Sequence, residues 1–216
     1  MTGEGQERPR RITALVPEPR GPGSVRIEVD GERFASVSPE VVRAHGLQVG
    51  RELDEALRLR LEAEGDVEAA YRTALRAIER RSFARADLAR RLLRKGHAPA
   101  AVEAALARVQ EQGLLDDAAF AANYVETRAA RGRGPLRLRR DLMAMGVERA
   151  IVDRAVAAHA RESGGNGEVP LALASKRAAQ LRDLPRHVRR RRVLAYLARR
   201  GFSGREVSDM VGQLLA

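Results

Sequence analysis

Hydrophobic and polar residues alternate over only one stretch of this chain. Val25, Ile27 and Val29 are separated by arginine and glutamate, Asp30-Gly31 follows, and Phe34 and Val37 resume beyond it. A period of two broken by Asp-Gly predicts a β-hairpin with a two-residue turn. The preceding RITALVPEP is also strand-like, so β structure is expected within about residues 11–37. Ser38, Pro39 and Glu40 supply a cap, a first-turn proline and a first-turn acid for a short helix, and Gly46 closes it. Residues 11–65 therefore read as an N-terminal module of β-hairpin and short helix, thin in apolar area for folding alone. Residues 1–10 are polar, have no period, and are expected to form a disordered tail.

From about residue 52 the period changes to that of a helix, and a longer repeat emerges. Three stretches centre on Gly96, Gly146 and Gly201, a spacing near fifty. Apolar residues stand four and eight before each glycine: Leu92 and Leu88, Leu142 and Leu138, Leu197 and Val193. A β-branched residue follows each, at Val102, Ile151 and Val207. This spells helix, glycine C-cap, tight connection and helix, three times. A further helix precedes each pair, over about 68–81, 117–130 and 171–182. The expected fold class is mainly α: three tandem three-helix bundles, 66–115, 116–161 and 171–216, in a curved array, with the β-hairpin module in front. ESGGNGEVP, residues 162–170, is expected to be a flexible linker before the third repeat.

Composition narrows the functions open to such a fold. With three Tyr, four Phe and no Trp, the core must be built from Leu, Val, Ile and Ala. The absence of cysteine excludes disulfides and thiolate metal sites. No apolar run reaches the ~20 residues of a membrane span, and the first residues lack the apolar core of a signal peptide, so a cytoplasmic protein is expected. The net charge of +11 is unevenly placed. Residues 1–65 carry ten basic and twelve acidic side chains, whereas the rest of the chain carries thirty and seventeen. A basic helical body is the electrostatic footprint of a polyanion partner.

No catalytic constellation can be assembled. RGRGPLRLRRDL, residues 131–142, has glycines at 132 and 134 but completes neither a dinucleotide fingerprint nor a phosphate loop. It reads as a helix start, with Pro135 at the first position and Leu138 and Leu142 at helical spacing. In GLLDD, residues 113–117, consecutive carboxylates diverge by about 100° on a helix, which suits helix capping better than a shared ligand. The four histidines (45, 97, 159 and 187) share no metal-binding spacing, and neither cofactor nor metal is expected. The arginines are left as candidates. With each leucine pair inward, Arg90, Arg94, Arg140, Arg191 and Arg199 point outward, while Arg137 and Arg192 flank the core. Arg94 and Arg199 match at two before their glycines, Arg90 and Arg140 at six. Arg90, Arg94, Arg137, Arg140, Arg192 and Arg199 are the six candidate nucleic-acid contacts, and scarce aromatics make them backbone-directed, without sequence preference.

The segment RSFARADLARRLLRKG, followed by GLLDDAAFAANYVETRAARGRGPLRLRRDLMAMGV, resembles the RecX family of bacterial recombination regulators. The pattern lies in Gly113–Asp117, Phe120-Ala121, Tyr124-Val125 with Arg128, Gly132–Pro135 and Gly146-Val147, and the likeness spans roughly residues 70–160. The resemblance implies a non-enzymatic modulator of RecA: a curved array of three-helix repeats lying in the groove of the RecA–DNA filament. It implies suppression of strand exchange, ATP hydrolysis and co-protease activity, and binding of single- and double-stranded DNA irrespective of sequence, by a monomer without membrane attachment. An architectural DNA-binding protein with no recombinase partner, and a helical scaffold whose arginines only solvate it, are the rival readings.

Overall fold

The computed structural model describes residues 9–216 apart from 20, 22 and 164–167. Among the described residues three strands precede ten helices. The strands are β1 (Ile12–Pro17), β2 (Val25–Val29) and β3 (Glu32–Val37). The helices are α1 (Pro39–Ala44), α2 (Glu55–Ile78), α3 (Arg85–Arg94), α4 (Pro99–Glu111), α5 (Asp117–Ala129), α6 (Pro135–Met145), α7 (Arg149–Glu162), α8 (Glu168–Ala179), α9 (Arg186–Arg200) and α10 (Arg205–Leu214). The protein is mainly helical, with one small antiparallel sheet near its N-terminus. It divides into two compact units: one runs to Ser82 and includes Leu88–Leu115, and the other comprises Phe83–Asp87 and Asp116–Ala216.

In the first unit the expected hairpin is β2–β3, and its Asp30 and Gly31 have φ of 53° and 87°, as a type I′ turn requires. The strand-like RITALVPEP adds β1, so the hairpin is part of a three-stranded meander. Arg10, placed in the tail by its sequence, belongs to this module. Its carbonyl accepts from Leu53 N at 2.8 Å and its guanidinium lies 5.9 Å from the Phe34 ring centre. Residues 1–8 lie outside the described residues.

The sheet is completed by a helix that the sequence reading cut in two. The helix expected over 68–81 is the second half of α2, which passes 65/66 without a break. Its first half buries Leu57 and Leu61 against Ile12, Ile27, Val29 and Val37. At Gly65 helix and strand pass close together: a Cβ there would stand 3.3 Å from Ala35 Cβ on β3. One turn on, Glu68 is buried and accepts from Ser24 Oγ and from Arg108 on α4 at 2.8 Å. The Arg108 guanidinium also lies 3.8 Å from the Tyr71 ring centre. Glu68 thus ties the β1–β2 loop, α2 and α4 together. Glu68→Ala strands a buried hydroxyl and one partly exposed cation, so a loss of about 1–3 kcal/mol in urea unfolding is expected. Glu68→Gln, which keeps an acceptor, should lose less.

The three glycine-centred repeats have one geometry. Gly96, Gly146 and Gly201 take φ of 88°, 86° and 93°. In each, the next residue's N–H reaches back to the inner leucine carbonyl: His97 to Leu92 (3.3 Å), Val147 to Leu142 (3.2 Å) and Phe202 to Leu197 (3.0 Å). This is the Schellman closure of a helix on a left-handed residue. The apolar pairs four and eight before each glycine are all buried. After the glycine the burial shifts slightly. Val102 is buried as expected, but Val152 and Val211 fill the later cores while Ile151 and Val207 are only partly covered. Leu142→Ala is expected to cost about 2–5 kcal/mol, and Arg140→Ala, on the exposed side, less than about 0.5 kcal/mol. Thermal unfolding distinguishes the two.

The linker is shorter than its composition suggested. Glu162 ends α7, and Glu168, Val169 and Pro170 already form the first turn of α8, with Pro170 buried. Gly and Asn set the expectation there, but residues 164–167 lie outside the described residues.

Candidate nucleic-acid interface

Residues 131–142 are a junction between helices. Just past the end of α5, Gly132 is in the left-handed region with φ of 75°, and Gly134 caps α6. Gly134 has no side chain to satisfy the orphan amides of α6. The last carbonyls of α9 do so: Gly134 N donates to Arg200 O at 2.7 Å and Leu136 N to Gly201 O at 3.2 Å. Pro135, lacking an N–H, sits between these two donors. The negative end of α9 thereby meets the positive end of α6, a favourable pairing of helix dipoles. The approach requires glycine on both sides. A Cβ on Gly134 would stand 2.5 Å from Gly201 O, and one on Gly201 would stand 2.4 Å from Arg137 N.

This junction gathers arginine. Arg200 reaches Arg131 O and Gly132 O at 3.3 and 3.4 Å, and its guanidinium lies 5.2 Å from the Tyr196 ring centre. Arg133 and Arg137 both pair with Asp141, the latter at 2.9 Å. Tyr124 joins them, accepting from Arg133 at 3.0 Å and lying 3.3 Å from Asp141. Burial, and then the Asp141 carboxylate, push the Tyr124 phenol above its ordinary pKa, so it keeps the proton it offers Asp141.

The six candidate arginines divide accordingly. Arg90, Arg94, Arg140, Arg192 and Arg199 are exposed. Of these, Arg94, Arg140, Arg192 and Arg199 have no carboxylate partner among the described residues. Arg137 is half-buried, with its charge committed to Asp141. Within the second unit, Arg137 and Arg199 belong to the two segments hydrogen-bonded at the junction, with Arg140 and Arg192 farther along α6 and α9. Arg90 and Arg94 belong to the first unit. Sequence phase missed Arg131 and Arg200, because only the pairing of α9 with α6 brings them together. In α9, Arg186 and Arg190 bond to Leu215 O and Ser208 Oγ of the α10 segment, whereas Arg191, beside Arg192, is exposed. An apolar groove of about 600 Å³ adjoins the junction, lined by Leu136, Leu171, Phe202, Val207 and Met210 among others. Among the described residues no three His, Asp or Glu side chains come together as a metal site. No helix there is long and apolar enough to cross a membrane.

Comparison with known proteins follows the same segments. Residues 116–156 match the family model of the RecX second three-helix domain. The regulatory protein RecX of Pseudomonas syringae pv. tomato is 36% identical over 148 residues, covering 67% of this chain and 88% of that protein. The chain belongs to the RecX family. RecX of Halorhodospira halophila is 40% identical over 92 residues, 43% of this chain and 57% of that one. A crystal structure of regulatory protein RecX superimposes with a TM-score of 0.79 at 26% identity, covering 94% of this chain and 99% of the other.

The residues that carry the RecX resemblance have structural roles. Asp116 accepts from Ala118 N and Ala119 N, capping α5, while Asp117 accepts from Arg85 N at 2.7 Å, at the start of α3. The adjacent carboxylates of GLLDD thus serve two different helix starts. Ala121 and Val125 are in the core, Arg128 lies 5.4 Å from the Tyr124 ring centre, and Gly146-Val147 is the Schellman closure of α6.

Proposed function

We propose that this protein regulates the RecA recombinase by binding its nucleoprotein filament, lowering strand exchange, ATP hydrolysis and co-protease activity without catalysing a reaction itself. On this reading it acts as a cytoplasmic monomer in DNA repair and the SOS response, and binds single- and double-stranded DNA with little sequence preference. The observation that carries the reading is the set of exposed arginines at matched positions of the repeated middle helices, above all Arg94 and Arg199. A guanidinium without an internal carboxylate is available for phosphate oxygens. The exposed apolar groove beside α6 supports a partner that presents protein as well as phosphate.

The deciding experiment is a RecA ATPase assay on single-stranded DNA, with and without the protein. A lowered rate is expected. DNA binding with no effect on the recombinase would instead favour an architectural protein, and neither activity would favour a scaffold. Affinity for DNA should fall linearly with salt on logarithmic axes, by about 0.7–0.9 per phosphate neutralised. Duplexes of equal length should bind within a few-fold of one another. Salt-insensitive binding, measured by anisotropy, would contradict backbone recognition.

A further inference from the structure

The first unit has a second basic feature that none of the six candidate arginines belongs to. α2 and α3 border a groove of about 300 Å³ lined by Thr73, Arg76, Ala77, Arg80, Arg91 and Lys95. Four of these six residues are cations, and no carboxylate lines the groove. Arg76 lies in the last turn of α2 and Arg80 two residues past its end, while Arg91 lies in the last turn of α3 and Lys95 directly follows that helix. Arg76, Arg80 and Lys95 have no ion-pair partner among the described residues.

Helix ends explain part of this, since cations near a C-terminus complement its partial negative charge. They do not explain why two such pairs share one groove. Like charges brought together repel, and Arg76, Arg80 and Lys95 have no carboxylate beside them to offset this unless an anion enters. The remaining polar lining group is already engaged: Thr73 Oγ1 donates to Ala69 O at 2.9 Å and takes His97 Nε2 at 3.2 Å. The groove therefore presents donors that carry charge and no competing carboxylate.

We propose that this groove binds a phosphate group, held by Arg76, Arg80 and Lys95. Guanidinium forks and an ammonium match the several oxygens and the charge of phosphate. The phosphate can come from a nucleic-acid backbone or from a small phosphorylated molecule, and the inference does not require the recombinase.

The test uses the full chain, with pyrophosphate in calorimetry and a labelled duplex in anisotropy. R76Q/R80Q/K95Q is compared with wild type and with R60Q/R154Q/R161Q, which removes three exposed arginines elsewhere. Wild type and the control should bind pyrophosphate alike, and the groove variant roughly tenfold or more weakly. The groove variant should remain folded with a urea midpoint close to wild type, since the repulsion it loses offsets the lost complementarity with the helix ends. Duplex binding weakened beyond the control identifies the phosphate as a backbone phosphate. Duplex binding unchanged with pyrophosphate binding lost identifies a small ligand. If wild type binds no duplex, the nucleic-acid reading falls while the pyrophosphate arm still decides the groove. The proposal is overturned if wild type does not bind pyrophosphate, or if both triple variants lose it equally.

Discussion

Replacing Gly201 by alanine is expected to destabilise the second unit by roughly 3–6 kcal/mol, far more than the same change at Gly96. Both residues close a helix with nearly the same geometry, φ of 93° and 88°. Both alanines must therefore bear a left-handed backbone, at about 1–2 kcal/mol. At Gly96 nothing lies within 4 Å of the added methyl, so the cost should stop there. At Gly201 the methyl would stand 2.4 Å from Arg137 N and 2.9 Å from Gly134 O. Relief requires α6 and α9 to part, loosening the Gly134–Arg200 and Leu136–Gly201 hydrogen bonds, at about 1 kcal/mol each. Overpacking of the surroundings adds about 1–3 kcal/mol. Chemical denaturation followed by circular dichroism measures the difference. Equal losses at the two glycines would mean that the junction is not close-packed.

The largest functional effect is expected from the exposed arginines. Changing Arg90, Arg94, Arg140, Arg192 and Arg199 together to glutamine should abolish the effect on RecA ATPase, with DNA affinity falling and its salt dependence flattening by about 0.7–0.9 per lost contact. Arg137 is better tested by itself, because its bond to Asp141 gives its removal a structural cost as well. The N-terminal arginines are poor controls: Arg26, Arg33, Arg43 and Arg58 are each paired with a glutamate. Arg60, Arg154, Arg161 and Lys176 are exposed without a carboxylate partner among the described residues, and with Arg182, whose contact with neighbouring Asp183 is fully at the surface, they remove the same formal charge. Long-range attraction is then matched, while contacts within a Debye length of ~8 Å are not. A folded five-fold variant that still inhibits would refute the chosen surface. Equal loss in the control would reduce the interaction to net charge.

The motif that identifies the family and the residues proposed to contact its partner are largely different. Asp116, Asp117, Val125 and Gly146 cap helices, fill the core and close turns. Such positions are fixed by local backbone chemistry, so they form a recognisable string whatever the surface does. Arg94 and Arg199 lie outside that stretch, on exposed faces where packing imposes no residue type.

Much of the fold was determined by sequence at short range. The Asp30-Gly31 turn, the Ser38 cap and the three glycine closures depend on residues within about six positions of one another, where φ preference and helical spacing act directly. The inward leucines of the repeats follow from period alone. What tertiary structure decided involves partners far apart in the chain. The boundary expected at 65/66 falls inside α2, where only packing on β3 gives Gly65 a use. Glu68 is held in the interior by Ser24 and Arg108, which come to it across 44 and 40 residues. The glycines and proline of residues 132–135 announced a helix start, but the groups that satisfy it arrive from Arg200 and Gly201. An orphan amide specifies that some acceptor must come, and only the folded chain can say which one does.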